Sequence, residues 1–277
     1  MLLNIRTDLV TEENISADTC GDITTEKKTV GEIEIEKTEI KSDSAAKRIR
    51  KPKGKYCTLR FERLDGISET DALKSALVAT LNGLTDVRDN ALVVGLGNSD
   101  ITPDALGPLC VNSVIATRHI TENLKRTLGL EKLHRVSCLA PSVLGKTGIE
   151  AVDIIKATAD AICPEIIIAV DALAANTPKN LCRTVQMTDS GIAPGSGVKN
   201  RRAALCKETL GVPVIAIGVP TVIDAGYLSD DLKTDDDMMV TPKEIDLLVS
   251  RAADVIARAI NMFLQPSLTE DIIESLS

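Results

Sequence analysis

The chain is nearly devoid of aromatic side chains: two Tyr, two Phe and no Trp among 277 residues. Tyr56, Phe61, Tyr227 and Phe263 are too few for a base-stacking platform or an aromatic cage, so the core must be aliphatic. Histidine is almost as scarce, with His119 and His134 alone. The seven cysteines are odd in number and form no Cys-x-x-Cys pair. That argues against a disulfide framework or a structural zinc site, and the thiols read as reduced cytosolic residues. No apolar run reaches the roughly 18 residues of a membrane span, and residues 1–8 lack the apolar centre of a signal peptide. A cytoplasmic protein with no membrane partner is expected. Basic excess is missing too: 32 Lys and Arg stand against 40 Asp and Glu, a net charge of −8. A general nucleic-acid binder would carry a basic face, so no direct nucleic-acid partner is expected.

The remaining composition is that of an ordinary globular chain, 44% apolar and 26% charged. Residues 1–55 read as an N-terminal segment. Within it, Ile33 and Ile35 alternate with Glu32, Glu34 and Glu36, the period of an edge strand near 30–40 with one wet face. The basic stretch 47–55 has two readings, a nucleic-acid patch or a solvated linker, and the overall acidity favours the linker. Residues 56–277 read as one α/β domain. Helices are predicted over 69–82, with Ser68 as N-cap, over 104 to about 126, and over 149–162. A last helix is predicted over 241–264, where Thr241, Pro242 and Glu244 form a capping box. Short apolar strands are predicted at 91–96, 135–139, 164–171 and 212–218. Strands alternating with helices imply a mainly parallel central sheet covered on both faces, with ligands gathering beyond the carboxyl ends of the strands.

Two strand ends carry candidate chemistry. At the first, a strand runs into Gly95-Leu96-Gly97-Asn98, and a helix opens at Asp104, where the helix dipole favours an ionised carboxylate. A charge placed simply to suit that helix is the plain alternative. At the second, an apolar run ends on Asp171, and a carboxylate there is costly unless paired or working. In a parallel sheet the two acids share one edge. Neighbouring acids do not both ionise easily, so one holds a proton while the other activates water. Gly97, Asn98, Ser190, Gly195, Ser196 and Gly197 are candidate donors to an oxyanion or a substrate chain. The 190–198 loop and the 141–147 segment are expected to wall the crevice. Other constellations are thinner. His119 reads as a structural mid-helix histidine, and His134, four residues before Cys138, lacks the setting of an activated thiol. Ser142 and Ser196 lack a Gly-x-Ser-x-Gly elbow. Asp100 stands where a dinucleotide fingerprint would place its third Gly, and no Gly-Lys-Ser/Thr marks a P-loop.

Several longer strings carry a resemblance. Thr102-Pro103-Asp104-Ala105-Leu106-Gly107-Pro108, Val170-Asp171-Ala172-Leu173-Ala174, the Gly-rich run 190–198 and the run 216–225 closely resemble the germination proteases of spore-forming bacteria. The resemblance extends from Ile5 to about Asp246. It implies an atypical aspartic endopeptidase without cofactor that degrades small acid-soluble spore proteins in the spore interior. It also implies a zymogen, a homotetramer, and a fold similar to the hydrogenase maturation proteases. The family's catalytic aspartates fall on Asp104 and Asp171. By the same likeness, an alternative is a metal-assisted peptidase with Asp104 and Asp171 as ligands. A third class is a non-catalytic module binding spore proteins or a dinucleotide. A pro-segment would be limited to residues 1–4, with processing between Asn4 and Ile5. The 224–240 region is short where family members carry a long insertion.

Overall fold

The computed structural model describes residue 10 and residues 21–62, 67–193, 203–228, 238–269 and 272–273. Nine strands form one sheet: β1 Ile23–Val30, β2 Ile33–Ile40, β3 Gly54–Arg60, β4 Ala91–Gly95, β5 Val136–Leu139, β6 Ile166–Ala175, β7 Thr184–Thr188, β8 Val214–Asp224 and β9 Met239–Val240. Their order is β1-β2-β3-β7-β8-β6-β4-β5, with β9 beside β8. The centre, β5-β4-β6-β8, is parallel, as expected. The sheet as a whole is mixed, because β1, β2, β3, β7 and β9 pair antiparallel.

Eight helices complete the described chain: α1 Asp43–Ile49, α2 Ile67–Leu84, α3 Leu106–Asn112, α4 Glu122–Leu128, α5 Leu144–Thr147, α6 Ala151–Ile162, α7 Lys207–Leu210 and α8 Ile245–Leu264. On one face, α2, α3 and α8 pack through Leu77, Leu106, Ile256 and Ile260 against Val93, Ile168 and Ile217. On the other, Ile155 of α6 and Leu210 of α7 cover Leu92, Val94, Ile167 and Ala169. Coverage of both faces explains why β4 and β6 are apolar without alternation. Ile166 to Val170 have no solvent exposure.

Several boundaries differ from expectation. Helix 104–126 is broken after Asn112. Buried Asn261 of α8 accepts from Ile115 N–H and donates to the Ser113 carbonyl, each at 2.9 Å, so a tertiary partner replaces the helical bonds of that turn. His119 consequently lies exposed in a turn, not in mid-helix. Ser68 falls within α2 rather than ahead of it, and α8 starts at Ile245, beyond the proposed Thr241 capping box. The Thr241 hydroxyl instead donates to the Pro242 carbonyl at 3.2 Å.

The 47–55 stretch is the end of α1 and the start of β3 rather than a linker, and β3 ties it to the main sheet through β7. The strand read near 30–40 is flanked on both sides, and the edge belongs to β1. Glu36, Thr38 and Ile40 are buried along with Ile33 and Ile35. Both faces of β2 are covered, with Ile33 and Ile35 in the main core and Ile40 in a smaller cluster with Ala45, Ile49 and Tyr56.

Candidate active site

From β4 the chain crosses to β5 on one side, whereas β6 leads on toward β7 and β8 on the other. Adjacent parallel strands whose connections diverge leave a crevice beyond their carboxyl ends. Here that point lies past Gly95 of β4 and Val170 of β6, which are register partners.

The backbone is held closely at this point. Leu96 N–H donates to the Val170 carbonyl at 2.8 Å. A Cβ on Gly107 would stand 2.3 Å from the Leu96 carbonyl oxygen and 2.5 Å from that of Val170, so only glycine lets α3 begin there. Gly97 has φ +112°, and a Cβ on it would lie 2.0 Å from the Asp104 carbonyl oxygen. The turn that follows folds back on itself. Asp104, half-buried in the 3-10 turn Thr102–Asp104, accepts from Asn98 N–H through Oδ2 at 2.8 Å. Asn98 Oδ1 accepts from Asp100 N–H at 3.1 Å. Two of Asn98's polar groups are thus engaged within the turn, and Gly97 backs the Asp104 carboxylate. Asp100 also forms an ion pair with Lys146 of α5, which holds its carboxyl below the usual carboxylate range. The 141–147 segment therefore borders the turn, as the sequence suggests.

Asp171 is 5% exposed, and its Oδ1 accepts from Ala172 N–H at 2.9 Å. It does not end its strand. β6 continues to Ala175 beside β8, pairing Asp171 with Gly218, although neighbouring β4 stops one row earlier. The Thr102–Asp104 turn packs against both β6 and β8, with Cα atoms within 8 Å. The turn that carries Asp104 thus packs against the strand that carries Asp171. Asp104 arrives from the α3 layer, and pleat alternation puts Asp171 on the face of Ile167, Ala169 and Leu173.

Ser190 is placed differently from expectation. Because β7 runs antiparallel to β8, Gln186 lies opposite Gly218 and Thr188 opposite Ala216. The chain therefore moves away from the Asp171 row as it nears Ser190. The Ser190 hydroxyl donates to Tyr56 Oη at 2.9 Å and bonds with Thr188 Oγ1 at 2.8 Å, and Tyr56 donates to the Pro52 carbonyl at 2.8 Å. This partly buried relay joins β7 to β3, and burial pushes the Tyr56 phenol up to about 12. Beyond it the chain returns, and Ile192 packs against Leu173 and Ala175. Gly195, Ser196 and Gly197, and the processing pair Asn4 and Ile5, lie outside the described residues.

The Cys–His reading finds no support. Burial pushes the Cys138 thiol up to about 11, leaving it neutral near pH 7, and His134 Nδ1 donates to the Leu264 carbonyl at 2.8 Å. Among the described residues no three His, Cys, Asp or Glu gather as a metal site. A metal at Asp104 and Asp171 would have no third such donor among the described residues.

Sequence reasoning missed three contributors. Gly107 was visible only as a glycine in a helix start. Lys146 gave no signal before its loop was known to face Asp100. Thr221, in the β8 bulge opposite Leu173 and Ala174, has a buried hydroxyl with no hydrogen-bond partner among the described residues.

A family model for germination proteases matches residues 4–235. The chain belongs to the germination protease family. The germination protease of Caldanaerobacter subterraneus subsp. tengcongensis is 36% identical over 318 aligned positions, covering 98% of this chain and 97% of its own. That of Clostridium perfringens strain 13 is 34% identical over 322 positions, covering 98% of each chain. That of Priestia megaterium is 41% identical over 249 positions, covering 82% of this chain and 66% of its own. Family membership makes this chain a protease of spore germination. Among solved structures, the NiFe hydrogenase maturation protease HycI from Thermococcus kodakarensis KOD1 aligns with a TM-score of 0.39 at 19% identity. It covers 65% of this chain and 98% of its own. No helix among the described residues is long and apolar enough to cross a membrane.

Proposed function

We propose that this germination protease is an endopeptidase that begins the degradation of small acid-soluble spore proteins, using Asp104 and Asp171 as a carboxyl pair. The observation that supports this most is the packing of the Asp104 turn against β6, the strand that carries the buried Asp171. One carboxylate takes a proton from the attacking water. The other, still protonated, supplies its proton to the scissile carbonyl or the leaving amine. Asn98 N–H holds Asp104 in place, and Ala172 N–H does the same for Asp171. Backbone donors from Gly195 to Gly197 receive the extended substrate, the chains assemble as a homo-oligomer, and N-terminal processing falls between Asn4 and Ile5.

The decisive experiment compares Asp104→Asn and Asp171→Asn with the unaltered chain on a purified small acid-soluble spore protein, with circular dichroism checking the fold. A carboxamide keeps the shape but cannot exchange the proton, so each variant should cut about 10²–10⁴-fold more slowly. Full-rate cleavage by either folded variant rules out the pair. Treatment with a chelator should leave the rate unchanged, and loss of activity restored by a divalent cation would favour the metal-assisted alternative instead.

A further inference from the structure

The sheet ends at β1, seven of whose eight residues, Thr24 to Val30, are exposed. Antiparallel ladders alternate hydrogen-bonded with non-bonded pairs. Lys41 N–H bonds the Asp22 carbonyl at 2.9 Å, which makes Thr24–Glu39, Glu26–Lys37 and Lys28–Ile35 the bonded pairs of the β1–β2 ladder. Thr25, Lys27 and Thr29 therefore turn their backbone N–H and C=O groups outward, where no strand pairs with them among the described residues.

We propose that this edge is an interface for a second copy of the chain, with two β1 strands pairing antiparallel about a twofold axis at Lys27.

The register follows from symmetry and charge. An axis normal to the sheet keeps each residue on its own face, so outward-bonding odd residues must meet odd residues. Centring on Lys27 sets Thr25 opposite the partner's Thr29 and forms roughly six inter-chain backbone hydrogen bonds. The non-bonded pairs, whose side chains approach most closely, then join Glu26 to the partner's Lys28, twice by symmetry. Shifting the centre to Glu26 or Lys28 would set like charges against each other. Lys27 meets its own copy on the opposite face, but its ammonium is already paired with Glu36 at 2.9 Å. Lysines on an edge strand ordinarily discourage pairing. Here each edge lysine has a carboxylate to meet, Lys28 across the interface and Lys27 within its own chain. Two nine-stranded sheets would become one continuous sheet, independently of how the carboxyl pair works.

Sedimentation velocity on the full chain tests this without reference to proteolysis. Glu26→Lys and Lys28→Glu should each weaken self-association about tenfold or more, because both cross-strand pairs turn repulsive together. The double variant Glu26→Lys/Lys28→Glu should restore it, and so should mixing the two single variants, which face each other as Lys against Glu. Both positions are exposed, so the fold should survive, as circular dichroism will check. A monomeric unaltered chain, single variants that associate normally, or failure of the double variant to recover would each overturn the interface.

Discussion

Replacing Gly97 with alanine probes the turn that carries Asp104. The backbone there has φ +112°, and the new Cβ would meet the Asp104 carbonyl oxygen at 2.0 Å and Oδ1 at 3.1 Å. A side chain in that φ region costs about 1–3 kcal/mol. The 2.0 Å contact is with backbone and cannot be relieved by a rotamer change, so the turn itself must move by about 1 Å or more. A misplacement of that size at a catalytic group costs on the order of 10²-fold in rate. At ~2–4 °C per kcal/mol for a chain near this length, the melting temperature should fall by about 2–12 °C. Gly83→Ala is the matched control, because a Cβ in that helical position meets nothing within 4 Å. It should leave the rate unchanged and raise stability by about 0.5–1 kcal/mol. Proteolysis of a small acid-soluble spore protein and thermal unfolding are read side by side. A Gly97→Ala chain with full rate and an unshifted melting temperature would refute the argument that this glycine sets the Asp104 carboxylate.

Ser190→Ala should leave proteolysis within about twofold of normal and cost about 1 kcal/mol in urea unfolding, because its hydroxyl serves the Thr188–Tyr56 relay. A large fall in rate with intact stability would return Ser190 to the substrate site. Stability should also decline in alkali. Burial raises Cys138 from 9.0 to about 11 and Cys182 from 9.0 to about 12, and it raises Cys57 and Cys110 as well. The folded state keeps protons that the unfolded state releases, so this stability is complete below about pH 9 and is lost as pH rises through 11 to 12. Under reducing conditions, Cys138 and Cys182 should together lower the unfolding free energy by about 2–3 kcal/mol between pH 8 and pH 10. Equal urea midpoints at the two values would contradict it.

Local pattern determined much of this protein. The apolar runs of β4 and β6 announced strands covered on both sides, because burial on both faces removes any reason to alternate. Gly97, Asp104 and Asp171 stood out in the sequence because a glycine turn after an apolar run and a carboxylate closing one are physically unusual, and the family strings are long. Chain direction was beyond local pattern. Nothing in the residues of β7 says that it runs antiparallel to β8, yet that direction places Ser190 away from the Asp171 row. The break after Asn112 depends on Asn261, some 150 residues later, supplying the missing hydrogen bonds. The same holds for the reach of Lys146 to Asp100, the burial of Glu36 and the exposed edge of β1. Periodicity reports which side of an element is buried. Which element does the burying, and in which direction it runs, is decided only when distant segments compete to satisfy the same backbone groups and cover the same apolar face.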